Sequence, residues 1–179
     1  MFQKLVIIAA WASILALAFA TLTHVGFMYS IYYKLAPLLM RLSLGVGFLS
    51  AVADRFGIWG PAGSPSVSWG NFQNFVAYTA KLNPWSPAAM VPALAWIVTI
   101  AEATLGILLI AGLMTRMAAL FSGLLTLAFL LAMTAVLGVH APLIYGVFVY
   151  SAAALFLASC STPDKWTLDA LLARRGSHG

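Results

Sequence analysis

Glu102 is the residue of this chain best suited to chemistry, because it is the only charged residue in an apolar segment that spans residues 91–115. A carboxylate near the middle of a membrane helix costs roughly 2.5–3.5 kcal/mol on insertion scales, so it must be paired, protonated or turned toward the protein interior. A carboxyl group held in this way can accept a proton beside a bound substrate. The alternative is a buried ion pair or hydrogen bond that fixes the register of two helices.

Arg41 is the expected partner of Glu102, since it is the only charged residue in the apolar segment 35–53. It lies about two turns inside that segment. At about 1.5 Å per residue, Glu102 lies on the order of 10 Å deeper in the membrane. Contact therefore requires helix tilt or the full reach of the arginine. The alternative is that Arg41 extends to the lipid headgroups. We predict Glu102 and Arg41 as the catalytic residues.

Polar residues at the segment ends form a second group of candidates. Asp54 and Arg55 end the 35–53 segment, and His140 lies in a later turn, so the three can meet at one mouth of a helix bundle. Histidine exchanges protons near neutral pH, although a lone histidine in a turn is more often a simple surface residue. Arg116 lies in the opposite turn, where it would set topology.

The sequence contains no pattern typical of a metal or nucleotide site. It lacks His-x3-His, Glu-x-x-His and Gly-rich phosphate motifs, and its one cysteine, Cys160, excludes an internal disulfide or a cysteine-based metal cluster. We therefore predict no metal ligands.

Composition identifies the class of protein that holds these residues. Hydrophobic residues make up 63% of the 179, charged residues only 7%, and the mean hydropathy is +1.00. Soluble domains have about 45–50% apolar and about 25% charged residues. An ordinary soluble enzyme and a disordered chain are therefore excluded. The net charge of +5 comes from too few residues to form a nucleic-acid-binding surface.

Five apolar segments approach or exceed the roughly 20 residues that cross a membrane. They are residues 5–23, 35–53, 91–115, 117–139 and 141–161. They lack the alternation of barrel strands, so helices are expected. Short turns make the last three antiparallel neighbours. The prediction is an all-α integral membrane protein, an antiparallel four-helix bundle with one extra N-terminal hydrophobic helix.

Residues 54–90 form the long connection of this bundle. A Gly- and Pro-rich stretch at 57–65 must be irregular. It precedes an amphipathic helix for which Ser68 is the expected N-cap and Pro84 the stop. The apolar face of that helix contains Phe72, Phe75, Val76, Thr79 and Leu82. Tryptophans flank it, as is typical of a helix at the membrane interface.

We divide the chain into an N-terminal hydrophobic segment, 1–33, a bundle, 34–161, and an amphipathic tail, 162–179. Thr162 and Pro163 are expected to start the tail helix. If segment 35–53 runs outward, six Lys/Arg residues lie on the cytoplasmic side and two outside. The 54–90 loop is then extracytoplasmic and the C-terminus cytoplasmic.

Residues 1–33 allow several interpretations. A fifth membrane helix is favoured, but it leaves Lys4 on the outer side. A cleaved signal peptide, a bent hairpin and a translation start at Met28 or Met40 are the alternatives.

Three stretches resemble the DoxX family of small bacterial membrane proteins. They are residues 41–49 (RLSLGVGFL), 101–116 (AEATLGILLIAGLMTR) and 166–172 (WTLDALL). The resemblance extends over about residues 36–173, and the block from Glu102 to Arg116 is its most specific part. Residues 1–33 are additional to the usual four helices, and the 54–90 loop is longer than in many members.

The resemblance implies a four-helix core in the bacterial cytoplasmic membrane and a role in a redox system. Some DoxD-type relatives are subunits of a thiosulfate:quinone oxidoreductase, and others act with soluble enzymes in sulfur metabolism or oxidative stress. A bound quinone would then be the cofactor, with Trp96, Tyr145 and His140 as its contacts. The bilayer, a soluble redox protein and a second copy of the chain are the expected partners.

Two other functions remain open. The chain can be a non-enzymatic scaffold that recruits a partner through the 54–90 loop or the tail helix. It can also be a small-solute transporter, although neither an inverted repeat nor a pair of broken helices is evident in the sequence.

Overall fold

The computed structural model describes residues 35–160 and 167–176, and every regular element within them is helical. In chain order the helices are α1 (Leu35–Arg55), α2 (Phe72–Leu82), α3 (Val91–Ala111), α4 (Thr115–Leu137), α5 (His140–Ile144), α6 (Val147–Ser159) and α7 (Leu168–Gly176). A short 3-10 turn, Ala88–Met90, leads into α3. The contacts described below lie within one unit, Leu38–Gly179.

Three of the described helices are long and apolar enough to cross a membrane. They are Leu35–Arg55, Ala88–Ala111 and Thr115–Leu137, with mean hydropathies of 1.7, 2.1 and 2.3. This confirms the all-α membrane fold. The predicted helix over residues 5–23 and the predicted cap at Thr162 and Pro163 lie outside the described residues.

The segment 141–161 is not the continuous helix that its composition predicts. It consists of α5 and the 13-residue α6, separated at Tyr145 and Gly146. Gly146 has a φ of 66°, which is left-handed and cannot continue a right-handed helix. The apolar length of the segment was correctly recognised, but a single glycine divides it.

Helices α1, α3, α4 and α6 form the predicted four-helix bundle, and glycines allow its helices to approach closely. A Cβ placed on Gly45 of α1 would lie 2.9 Å from the Gly106 carbonyl oxygen of α3. A Cβ on Gly123 of α4 would lie 2.7 Å from Leu155 Cδ2 of α6. Small residues at such contacts permit the dispersion packing that holds membrane helices together.

A buried seam of hydroxyl groups joins α4 to α6. Ser151 donates to Thr126 Oγ1 at 3.0 Å, and Thr126 donates to the Ser122 carbonyl at 2.9 Å. The Ser151 and Thr126 hydroxyls thus each donate to a partner inside the protein, as apolar surroundings favour.

Helix α2 confirms the amphipathic helix expected in the long connection, with a different cap. Asn71 accepts a hydrogen bond from the Asn74 amide at 2.8 Å, so the cap lies three residues beyond Ser68 and the helix starts at Phe72. It ends at Leu82, just before Pro84. Phe75, Thr79 and Leu82 are buried on the predicted face, which packs on α3.

Candidate functional site

A buried ion pair joins the end of α1 to the middle of α3. Arg55 Nη2 contacts Glu102 Oε2, and the two side chains are only 2% and 4% exposed. Arg55 Nη1 also donates to Thr99 Oγ1 at 3.0 Å. A charge in a membrane helix is tolerated when it pairs inside the bundle. Glu102 is therefore paired inside the protein, as a charged residue in a membrane helix must be, and its partner lies at the end of the neighbouring helix.

Aromatic rings cover the guanidinium group of Arg55. Its central carbon lies 3.7 Å from the ring centroid of Phe75 and 5.3 Å from that of Trp69. Phe72 and Trp96 extend the cover, with ring centroids 4.4 Å apart. Ring faces attract cations, and the attraction grows as water is excluded. These rings thus stabilise the Arg55 cation and shield the ion pair on the side of the long connection.

Asp54 fixes the loop that carries this cover. Its Oδ2 atom accepts the backbone amides of Ser68 and Trp69 at 3.0 and 2.9 Å. This contact ties the backbone just before α2 to the end of α1. Among the described residues, Asp54 Oδ1 and Arg55 Nε have no hydrogen-bond partner. We call Asp54, Arg55, Thr99 and Glu102, with the rings of Trp69, Phe72, Phe75 and Trp96, the arginine–glutamate site.

The expected contact between Arg41 and Glu102 is wrong, because the register of α1 and α3 separates them. Arg41 Nη1 lies against Gly112, where a Cβ would collide with it, whereas Arg55 reaches Thr99. The two helices are therefore antiparallel. Glu102 is ten residues from Gly112, which is about 15 Å along a helix. A catalytic role for Arg41 stays a prediction, but the arginine beside Glu102 is Arg55.

The predicted ring-binding residues lie at the same end of the bundle as this site. Trp96 belongs to the aromatic cover and is 46% exposed. Tyr145 is exposed. The pKa of Tyr78 on α2 is raised by burial and by the nearby Tyr145.

His140 is exposed at the first residue of α5, while Asp54 and Arg55 are buried with other partners. Asp54, Arg55 and His140 therefore do not form the cluster expected at the mouth of the bundle.

A second polar cluster lies at the other end of the bundle and ties the tail to the α3–α4 turn. Asp169 Oδ1 accepts the Met114 amide at 2.8 Å, and Oδ2 accepts the Thr115 amide at 2.9 Å. The Asp169 amide donates to the Gly112 carbonyl at 3.1 Å. Asp169 thus satisfies amides at the start of α4 that have no partner within that helix.

We call Arg41, Gly112, Met114, Thr115, Thr167 and Asp169 the tail latch. Thr167 caps α7 by accepting the Ala170 amide at 3.0 Å. Burial raises the pKa of Asp169, but the two amides and the nearby Arg41 lower it by more, so it lies below its ordinary value. The tail carboxylate is therefore held in its charged form.

Sequence reasoning missed the roles of two residues. Arg55 was recognised as the end of a helix but not as the partner of Glu102, since no short turn fixes the register of α1 and α3. Asp169 was noted only as part of a family-like ending. Its signal is an isolated acid just after Thr167, a residue type that caps helices.

Within residues 35–160 and 167–176, no group of three His, Cys, Asp or Glu side chains is arranged to hold a metal ion. Cys160 is a free, partly buried thiol. The chemistry available in the described residues is thus that of an ion pair, aromatic rings and hydrogen bonds.

Comparison with known proteins identifies the class of this chain. The model of the DoxX family matches residues 36–140, more than half of the sequence. The chain therefore belongs to the DoxX family of membrane proteins. No curated protein and no solved structure matches it significantly.

Proposed function

We propose that this DoxX protein is the membrane subunit of a quinone-linked redox system and that a soluble partner supplies its electrons. The observation that carries the proposal is the buried Arg55–Glu102 pair beneath aromatic rings. Binding sites combine an apolar, aromatic lining with a few fixed polar groups. The arginine–glutamate site combines buried polar groups with aromatic rings in this way.

The residues of the site suit a quinone head group. Arg55 Nε is buried and has no hydrogen-bond partner among the described residues. A carbonyl oxygen of the quinone ring can accept a hydrogen bond from it. Trp96 offers a partly exposed ring at the edge of the cover. Tyr145 and His140, exposed at the same end, are the proposed outer contacts.

Glu102 is the proposed proton carrier. A quinone that becomes a quinol takes up two electrons and two protons. The soluble partner would supply the two electrons. Glu102, a carboxylate paired with Arg55 at rest, would take up a proton from water and pass it to the head group, once for each of the two electrons, and Arg55 would hold the carboxylate in place between transfers.

The proposal includes a location. The chain would reside in a bacterial cytoplasmic membrane, with the 54–90 loop outside and the C-terminus in the cytoplasm, as the distribution of Lys and Arg predicts. The soluble partner would then approach from the cytoplasm or from the loop side. Proteolysis from each face of sealed vesicles distinguishes these orientations.

Extraction of the purified protein is the direct test. Protein in mild detergent is extracted with organic solvent, and quinone is measured by mass spectrometry against an unrelated membrane protein. About one quinone per chain is expected, and Glu102→Gln should lose it while the protein remains monodisperse on size exclusion. If Glu102→Gln fails to fold, Trp96→Leu is the alternative test. It removes a half-exposed aromatic ring and should also weaken quinone binding.

One arginine variant is a matched control, and a second tests an open prediction. Arg116→Gln removes an exposed charge at the far end of the bundle and should leave bound quinone unchanged. Arg41→Gln tests the predicted catalytic role of Arg41, and unchanged quinone in that variant would place Arg41 outside the quinone site. Quinone no higher than in the unrelated protein would refute the proposal and favour a membrane scaffold for a partner protein.

A further inference from the structure

Helix α7 leaves an apolar stripe uncovered. Leu168, Leu171 and Leu172 are 42%, 53% and 56% exposed. Their spacing of three and four residues places them on one face of the helix. Asp169 is about 100° around the helix from Leu168, and its carboxylate holds the α3–α4 turn. The latch and the leucine stripe therefore use different faces of α7.

The tail latch holds this stripe near the boundary of the membrane. Gly112 and Met114 lie between two helices long enough to span a bilayer, and the first turn of α7 is bound to them. A nine-residue helix is marginally stable by itself in water. The latch thus supplies both a fixed start for α7 and a position from which its leucines can reach lipid.

The sequence of α7 ends in two consecutive cations. Arg174 and Arg175 fall in its last turn, just after the leucine stripe. Arg116, exposed in the first turn of α4, adds a third positive charge close to Thr115 of the latch. Leucines followed by arginines on a short surface helix are typical of elements that bind anionic membrane surfaces.

We propose that α7 binds the anionic headgroup surface of the bilayer that contains the bundle. The leucines enter the headgroup boundary, and the positive charge at the end of the helix is attracted to the anionic headgroups. A single weak membrane signal gives only reversible binding, and a second one makes it stable. In this chain the latch supplies the second attachment, because it ties the start of α7 to a turn between two helices long enough to span the bilayer. This inference is independent of the quinone site.

Hydrogen exchange of the full chain in nanodiscs tests the proposal. Amides of α7 are followed by mass spectrometry in discs of phosphatidylglycerol and in discs of phosphatidylcholine. Exchange should be slower in the anionic discs. Replacing either arginine, Arg174→Gln or Arg175→Gln, should reduce the slowing of exchange in anionic discs by about five-fold. Replacing both should reduce it by on the order of 30-fold and so remove the difference between the two lipids.

Two further variants separate the contributions. Leu171→Ser with Leu172→Ser should speed exchange in both kinds of disc, since apolar contact does not depend on lipid charge. Lys81→Gln removes an exposed cation at the other end of the bundle and should leave α7 unchanged. Equal exchange of the unaltered tail in both lipids would overturn the proposal, and protection gained only from an added soluble protein would instead make α7 a protein-binding helix.

Discussion

The two ends of the bundle bury an arginine of α1 in different ways. At the end that carries the long connection, Arg55 pairs with Glu102, a carboxylate inside another membrane helix. At the end that carries the tail, Arg41 is also buried, but the nearby carboxylate of Asp169 binds the backbone amides of a turn. One carboxylate thus joins two spanning helices, and the other joins the tail to the bundle.

This difference separates global from local stability. The Arg55–Glu102 pair links α1 to α3, so its loss affects the packing of the whole bundle. The latch holds a short peripheral helix, which can open while the bundle remains folded. Variants at the two ends should therefore differ in which part of the molecule they destabilise, as well as in magnitude.

The largest effect is expected for Arg55→Met. Removing one member of a buried ion pair leaves the other charge uncompensated, at a cost of about 3–5 kcal/mol. Thermal unfolding in detergent should show this loss across all bundle helices. The double variant Arg55→Met, Glu102→Met should recover most of it, and Lys81→Met, at an exposed site, should have almost no effect. A single variant as stable as the unaltered protein would show that the pair does not hold α1 to α3.

Gly112→Ala should have the second largest effect. Gly112 has a φ of 67°, a conformation that costs other residues roughly 1–2 kcal/mol. The added Cβ would also collide with Arg41 and lie 2.8 Å from Thr167 Cβ. We expect a loss of about 2 kcal/mol or more in a denaturant titration.

Gly146→Ala provides the matched control for that variant. Gly146 has a φ of 66° with no neighbouring atom within 4 Å of its Cβ position, so it measures the backbone cost alone. Equal losses for the two variants would mean that the contact between Arg41, Gly112 and Thr167 contributes nothing.

Asp169→Asn should loosen the tail by about 1 kcal/mol, a typical value for the loss of a helix-capping carboxylate. The folded pKa of Asp169 lies below its unfolded value of about 3.9. The stabilisation is therefore complete above that unfolded value and is lost as pH falls through the folded pKa. The Met114 and Thr115 amide resonances, followed by NMR from pH 6 to 2, should shift with a midpoint below 3.9. A midpoint at or above 3.9 would contradict the latch.

The sequence predicts most of the fold because its signals are local. Long apolar runs indicate the spanning helices, and the spacing of Phe75, Thr79 and Leu82 indicates α2. The break at Gly146 was missed because one glycine hardly changes the composition of an apolar run. The cap at Asn71 was missed because Ser and Asn are both preferred capping residues, so residue type alone does not choose between Ser68 and Asn71.

The candidate site was only half predicted because it depends on the register of two helices. Glu102 was identified from the cost of its charge in a membrane. Its partner could not be read from the sequence, since residues 56–90 leave the alignment of α1 and α3 free. Contacts such as those of Gly45 with Gly106 fix that alignment, and they bring Arg55 to Glu102 while Arg41 reaches Gly112.

The smallest effect is expected for Arg116→Gln, although Arg116 ends the most family-like stretch of the sequence. Its side chain is exposed, so the free energy of unfolding should change by less than about 0.5 kcal/mol. Its proposed role is to hold the α3–α4 turn on the cytoplasmic side. Cysteine labelling from each face of sealed vesicles should then show a larger fraction of inverted molecules for Arg116→Gln than for Lys81→Gln. A large loss of stability with unchanged orientation would instead make Arg116 part of the latch, and the two ends of the bundle would differ less than their contacts indicate.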